Sequence, residues 1–203
     1  MTLKTKNAPY LIGFVILMYV GFALVNGFDW TFVKSMEIGK EGLKFKNPVL
    51  SLAFYVFVLV LTYLLPSEWK HRLIYMRWHH PLPGSRVFSD LLDEDERVSR
   101  QDLVGEFGEL PTSADDQNAL WYKIYKTKQT DEVVLNSHGR WLLFRDVFAI
   151  SIVLFLPSTI FTFWNAGAKA GLTLTLLYLA LLGGIWICAR NTGERFTRNV
   201  LAR

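Results

Sequence analysis

Apolar residues lie in four long runs that contain no Asp, Glu, Lys, Arg or His. Their lengths are 22, 21, 22 and 20 residues, and they cover 7–28, 47–67, 147–168 and 170–189. An α-helix rises about 1.5 Å per residue, so about 20 residues cross the roughly 30 Å hydrocarbon layer of a membrane. We therefore predict four transmembrane helices, at about 8–28, 48–66, 147–167 and 170–189.

Two other interpretations of these runs are less consistent with the sequence. The first run is longer than the apolar core of a secretory signal peptide, which has about 7–15 residues, and its end lacks a small-residue cleavage pattern. We therefore expect it to be a retained anchor. A single run is also consistent with a buried helix of a soluble protein, but four runs in 203 residues leave too little polar sequence to cover them.

Lysine and arginine are distributed unequally among the connections. Seventeen of the 22 lie in the N-terminal tail, the long 68–146 connection and the C-terminal tail, and five lie in the other two connections. Cytoplasmic loops carry the excess of positive residues in membrane proteins. The distribution predicts a multi-pass protein of the bacterial inner membrane with both termini and the 68–146 connection in the cytoplasm.

The two other connections have distinct patterns. Residues 29–46 alternate in places between apolar and polar side chains around Gly39-Lys40-Glu41-Gly42, which is typical of a short hairpin or an interfacial loop on the outer face. The third and fourth runs are joined only around Gly167, Lys169 and Gly171, so we expect a tight antiparallel helix pair. The Gly167-x-x-x-Gly171 spacing also occurs in helix dimers, but here it brackets a turn.

The long connection is predicted to be a mostly helical cytoplasmic domain. Ser113, with Asp116 three residues later, is a helix start signal, and lysines follow about three turns later. A last helix, starting near Asp131, is expected to run straight into the third transmembrane helix. The fold class is thus an α-helical membrane protein with three parts: an N-terminal transmembrane hairpin (1–67), a cytoplasmic domain (68–146) and a C-terminal transmembrane hairpin with a basic tail (147–203).

Composition and charge narrow the classes of function. The chain is 51% hydrophobic with one cysteine, Cys188, inside an apolar run. This excludes soluble globular, disordered, collagen-like and disulfide-stabilised proteins. Ion-coupled pumps and transporters generally place ionisable residues at mid-membrane. Their absence from the four runs argues against a coupled transporter.

No enzyme or metal motif is found in the sequence. The four histidines match no zinc-ligand spacing, and there is no phosphate-binding loop, nucleophile elbow or kinase motif. We therefore predict a protein that is not an enzyme and has no cofactor and no metal site. A weaker alternative is a membrane-bound hydrolase or transferase that uses His79, His80 and the acidic run at 93–96.

Basic and aromatic residues of the 68–146 connection suggest a ligand site near the inner membrane surface. Cations attract phosphates and aromatic rings stack on bases, so a nucleotide or oligonucleotide is the expected ligand class. The alternative is that these residues face anionic lipid headgroups and anchor the interface. Direct binding of duplex DNA is not expected, because the connection has 11 basic and 14 acidic residues. The candidate residues are Arg77, Trp78, His79, His80, Arg86, Trp121, Lys123, Tyr125 and Arg140.

Polar residues of the third run suggest a pore or gate. Ser151, Ser158 and Thr162 share one helical face, and Pro157 is expected to kink that helix. Lining of a pore in a homo-oligomer is one interpretation. The other is that the hydroxyls bond to their own backbone and to neighbouring helices.

Three motifs in the order RWHHPLPG (77–84), QNALWYK (117–123) and HGRWLLFRD (138–146) resemble bacterial four-span membrane components of anti-phage defence systems, of the Hailong or Kiwa type. The resemblance implies an oligomeric inner-membrane protein that works with a soluble cytoplasmic partner, and a ligand-gated pore that depolarises an infected cell.

Two functions are consistent with these observations. The first is a homo-oligomeric membrane effector that acts as a ligand- or partner-gated ion channel in antiviral defence. The second is a membrane sensor or docking subunit that recruits a soluble cytoplasmic partner, such as a nucleic-acid-binding protein.

Overall fold

The computed structural model describes residues 3–27, 36–39, 42–45, 48–93 and 95–203, with side chains outside 36–51. Residue 28 of the first apolar run, the parts of the 29–46 connection outside its strands, and residue 94 of the acidic run lie outside the described residues.

Helices make up most of the described chain, which confirms the predicted helical class. The elements in chain order are α1 (Leu3–Asn26), β1 (Met36–Gly39), β2 (Gly42–Phe45), α2 (Pro48–Leu64), α3 (Ser67–Tyr75), a 3-10 turn (Pro83–Arg86), a π-helical turn (Val87–Leu91), α4 (Arg100–Phe107), α5 (Ala114–Lys128) and α6 (Glu132–Leu201). The strands β1 and β2 pair antiparallel, with Met36 opposite Phe45, so the hairpin is formed, which is one of the two structures predicted for this connection.

The long helix α6 is broken once, at Gly167. This residue has φ 82° and ψ 177°, whereas the backbone stays helical through Pro157. A glycine adopts this conformation without the steric cost that a side chain would bring. The break divides α6 into a first segment, 132–166, and a second segment, 168–201. It lies where the sequence predicted the turn between the third and fourth transmembrane helices.

The described chain contains two helices that are long and apolar enough to cross a membrane, α1 and α6. A third is present if Leu52–Leu64 and Ser67–Tyr75, which meet at a bend of 65°, are taken as one broken span. These lengths are consistent with a membrane protein, as the sequence predicted.

The chain forms two compact units. Unit 1 comprises 1–66 and 143–186, and unit 2 comprises 67–142 and 187–203. Most of the predicted cytoplasmic connection thus lies in unit 2. The sequence predicted that 187–189 end the fourth transmembrane helix and that the residues after them form the basic tail, but in the structure 187–203 belong to unit 2.

Unit 1 is held by apolar packing and by hydrogen bonds between its helices. Phe155 of the first α6 segment contacts Tyr178 of the second segment, with ring centroids 5.4 Å apart. A side chain at Gly171 would collide with the ring of Phe163. These contacts confirm the predicted antiparallel helix pair. The amide of Asn26, at the end of α1, donates a 2.9 Å hydrogen bond to the Thr162 hydroxyl.

Unit 2 is organised around α5 and the turns that precede α4. The Ser113 hydroxyl accepts from the backbone N–H of Asp116 at 3.2 Å, which confirms the predicted helix start. Gln117 is buried, and its Oε1 accepts from the backbone N–H of Phe88 at 3.0 Å. Asp131 caps α6 by accepting from Val133 N–H at 2.8 Å. The helix that starts there then continues without a break to residue 166, as predicted.

Candidate functional site

Stacked aromatic rings from four parts of the chain meet inside unit 2. The rings of His138 and Phe196 lie 4.6 Å apart and within 12° of parallel, and Trp141 stacks on Phe196 at 5.8 Å. His71 also stacks on Trp141, with ring centroids 5.5 Å apart. Trp121 meets the edge of Phe196 at 5.6 Å. These helices therefore present rings to one shared volume.

Helical spacing explains how the rings come together. Residues three or four apart lie on the same face of a helix. Trp121 and Tyr125 of α5 accordingly stack, with ring centroids 5.7 Å apart. His138 and Trp141 of the first α6 segment have rings 6.0 Å apart.

A glycine on the second α6 segment permits the close approach of these helices. A Cβ atom added at Gly193 would lie 2.7 Å from Trp141 Nε1 and would also collide with the Tyr75 hydroxyl. The absence of a side chain at 193 thus leaves room for both groups.

Two hydrogen bonds hold three of the rings in place. Trp121 Nε1 donates to the backbone carbonyl of Thr197 at 3.1 Å. The Tyr125 hydroxyl and His138 Nδ1 form a hydrogen bond of 3.2 Å. Partial burial raises the pKa of the Tyr125 hydroxyl, so this group stays protonated at neutral pH.

The rings surround a mainly apolar cavity of about 200 Å³, here called the aromatic cavity. An apolar protein cavity of about 150 Å³ holds a benzene-sized group, so this volume suits one planar ring. Rings positioned to stack are the usual surface for such a group. The cavity is lined by His71, Leu82, Pro83, Gly84, Trp121, Tyr122, Tyr125, His138, Trp141, Gly193, Phe196 and Thr197.

A buried ion pair lies beside the cluster of rings. Arg86 Nη2 is 2.7 Å from Glu194 Oε1, and both side chains are largely buried. Arg190 also contacts Glu194, at 3.3 Å. The guanidinium of Arg86 lies 5.8 Å from the centre of the Tyr75 ring. Glu194 thus neutralises Arg86 within unit 2.

The nine residues that the sequence suggested for a ligand do not form a single site. Trp121 and Tyr125 line the aromatic cavity. Arg86 is buried against Glu194, and Arg140 lines a separate cleft.

The other predicted ligand residues lie on the surface of unit 2. Arg77 is 4.0 Å from Asp90, and His80 Nδ1 is 3.1 Å from Asp115. The exposed ring of Trp78 meets the edge of Trp69 at 5.8 Å. His79 and Lys123 are exposed. These positions are consistent with surface contacts rather than with one enclosed site.

The predicted pore residues lie in unit 1, and the hydroxyls of Ser151 and Thr162 bond to their own helix. Ser151 donates to Val147 O and Thr162 donates to Ser158 O, each at 2.8 Å. Ser151 and Thr162 are fully buried within the single chain, whereas Pro157 is exposed and Ser158 is half-buried. A pore lined by Ser151 or Thr162 would require these helices to rearrange.

The acidic run forms ion pairs. Asp93 contacts Arg100 at 3.0 Å, and Asp95 contacts Arg97 at 2.6 Å. The hydrogen bonds from Arg97 hold the pKa of Asp95 below its usual range, so Asp95 stays ionised at neutral pH. Within the part of the chain that the structure describes, no three His, Cys, Asp or Glu residues are grouped to hold a metal ion.

Several residues of the aromatic cavity were not selected from the sequence. His71, His138 and Trp141 belong to the predicted cytoplasmic connection, but Gly193 and Phe196 belong to the C-terminal tail. Helical spacing relates His138 to Trp141 and Gly193 to Phe196. No local pattern relates the two pairs, because they are more than 50 residues apart.

No protein-family model, no curated protein and no solved structure matches the chain.

Proposed function

We propose that the chain is a homo-oligomeric effector of the bacterial inner membrane, in which unit 2 binds a planar ligand and thereby controls the membrane-embedded unit 1. One observation carries the proposal. His138 and Trp141, which line the aromatic cavity, belong to a helix segment that continues unbroken from residue 132 to residue 166. Binding at the cavity would therefore act directly on a helix of unit 1.

Four spans are proposed for the membrane part, as α1, α2 and the portions of α6 on either side of Gly167. The break at Gly167 supports counting α6 as two spans, because its two segments are long enough to cross separately. Large apolar side chains exposed on these helices suit contact with lipid chains. Examples are Leu17, Leu156 and Leu176, each more than 60% exposed. The charge distribution of the connections supports cytoplasmic termini.

The proposed ligand class is a planar ring such as a nucleobase. The cavity offers stacking faces, but no Asp, Glu, Lys or Arg is among its lining residues. Recognition would thus rest on stacking and shape, which contribute about 1–3 kcal/mol per base. The resemblance to anti-phage membrane components supports a ligand produced or released during infection.

Ion conduction is the first proposed output, and it would require a path between copies of the chain. Ser151 and Thr162 are buried within each chain, so neither is available to a path between unrearranged copies. A change in the first α6 segment on ligand binding would provide the rearrangement.

Recruitment of a soluble partner is the second candidate output. The observation in its favour is an exposed pair of tryptophans in unit 2. Trp69 and Trp78 are 43% and 65% exposed, and Arg72 lies within about 6 Å of both rings. Exposed tryptophan and arginine are enriched among residues that dominate protein–protein binding energy.

Binding and flux measured on the same full-length variants test the proposal. Free nucleobases and nucleoside monophosphates are titrated against the purified protein in detergent, and potassium flux is measured in liposomes with and without the probe that binds. Tyr125→Leu, which removes a stacking ring, should weaken binding by about tenfold or more. Tyr125→Phe keeps the ring and should retain binding.

The two outputs give different results in this experiment. Probe-dependent flux that Tyr125→Leu abolishes would support the channel. Membranes that stay tight, together with capture of one stoichiometric soluble protein that Trp78→Ala abolishes, would support recruitment. Equal binding by Tyr125→Leu and the unaltered protein, or no binding of any probe, would contradict a ligand role for the cavity.

A further inference from the structure

A second cleft lies on a different face of the two helix segments that carry His138 and Phe196. Its volume is about 190 Å³, and it shares no lining residue with the aromatic cavity. It lies entirely within unit 2, and six of its seven lining residues have polar side chains. The polar lining residues are Asn136, Ser137, Arg140, Thr192, Arg195 and Asn199.

The two arginines of this cleft lack acidic partners. Neither Arg140 nor Arg195 forms an ion pair or a side-chain hydrogen bond within the described chain, and no lining residue is acidic. Other arginines of unit 2 do have partners: Arg190 faces Glu194, and Arg203 faces Asp131 at 3.8 Å. The cleft therefore concentrates uncompensated positive charge.

A buried amide at the cleft also lacks a partner. Asn199 is 4% exposed, and its Oδ1 has no hydrogen-bond partner in the described chain. A buried polar group without a partner costs free energy. A phosphate only accepts hydrogen bonds, so it would offset this cost by accepting from the NH₂ group of a rotated amide. An asparagine amide offers an acceptor oxygen and a donor NH₂ group, and rotation by 180° exchanges them.

The cleft hydroxyls provide few additional donors. Ser137 donates to Val134 O at 3.0 Å, and Thr192 donates to Cys188 O at 2.6 Å. Because these hydrogens are already used, the guanidinium groups and the amides of Asn136 and Asn199 are the donors left for a ligand. A ligand with several acceptor oxygens and negative charge matches this donor set.

We infer that this cleft, the arginine cleft, binds a phosphate group between Arg140 and Arg195, with the Asn199 amide at its buried side. Guanidinium groups bind phosphate through paired, charge-assisted hydrogen bonds, which makes arginine the preferred residue for such sites. The phosphate can belong to an anionic phospholipid or to a soluble compound. The inference goes beyond the proposed function, because it does not depend on what occupies the aromatic cavity.

Two measurements on the full-length protein separate the phosphate sources. In nanodiscs of phosphatidylcholine, inorganic pyrophosphate is titrated and its affinity determined by calorimetry. In nanodiscs that contain phosphatidylglycerol, native mass spectrometry counts the anionic lipids retained by the protein. The test variant is Arg140→Gln/Arg195→Gln. The matched control is Arg190→Gln/Arg203→Gln, which removes the same charge from unit 2 outside the cleft.

A soluble ligand predicts that pyrophosphate binds the unaltered and control proteins, and binds the test variant about tenfold more weakly or worse. A lipid ligand predicts that one phosphatidylglycerol fewer is retained by the test variant only. The single variants Arg140→Gln and Arg195→Gln should each give a smaller loss, and unchanged circular dichroism verifies folding. Equal binding by test and control variants in both measurements would overturn the inference.

Discussion

At the scale of single residues, close packing in unit 2 depends on a glycine that leaves room for its neighbours and on a buried charge that has a partner of opposite sign. Gly193 faces the Tyr75 hydroxyl and the indole of Trp141, and Arg86 is paired with Glu194. Such positions are sensitive because interiors are close-packed and a buried charge without its partner is costly.

We expect Gly193→Val to destabilise unit 2. The added side chain would overlap Tyr75 and Trp141, and overpacking of this kind costs about 1–3 kcal/mol. The measurement is denaturant unfolding of the purified protein, followed by tryptophan fluorescence. Gly105→Ala in α4 is the control, since nothing lies within 4 Å of its added Cβ. A stability of Gly193→Val equal to that of the control would contradict the packing described here.

Residue-scale prediction from the sequence succeeded where the interaction is local. The Ser113 cap was predictable because its partner, Asp116, is three residues away. The pair Arg86 and Glu194 was not, since its members are 108 residues apart and nothing in the local pattern joins them.

At the scale of elements, the start and the first segment of α6 can be predicted from the sequence, and Gly167 is the residue at which the helix breaks. Its start at Asp131 and its continuation through the third apolar run follow from capping and hydrophobicity, and both were predicted. Gly167 lies at φ 82° and ψ 177°, a conformation that is essentially restricted to glycine.

We expect Gly167→Ala to strain the turn between the two α6 segments. A side chain at this φ and ψ costs about 1–3 kcal/mol. Resistance to unfolding by sodium dodecyl sulfate should fall accordingly in the full-length protein. Gly183→Ala is the matched control, because Gly183 is helical and nothing lies within 4 Å of its added Cβ. Equal resistance of the two variants would show that the turn tolerates a side chain.

At the scale of the whole molecule, the arrangement of the chain in a membrane is the central prediction. Unit 2 carries most of the basic residues of the predicted cytoplasmic side. Lys40 of the 29–46 connection lies outside the described residues, and the sequence places it on the opposite side of the membrane.

We expect single cysteines at these two regions to react differently in intact cells. In a Cys188→Ser background, Asp95→Cys should be protected from a membrane-impermeant thiol reagent, whereas Lys40→Cys should be labelled. The reason is that lysine and arginine are retained on the cytoplasmic side. Permeabilised cells, in which both cysteines should react, provide the control. Labelling of Asp95→Cys alone in intact cells would reverse the orientation.

The sequence by itself determined the helical class, the apolar segments, the short hairpin and the local helix signals. These features depend on residues close together in the chain, so hydrophobic runs, capping and helical spacing are sufficient to predict them. Only the tertiary structure decided that 187–203 joins residues 67–142 in unit 2. Only the tertiary structure showed that one cavity is lined by rings from distant segments, namely His71, His138, Trp141 and Phe196. It also separated Arg140 from Trp121, although the sequence had grouped them. The physical reason is that contacts between distant segments depend on which helix faces pack together.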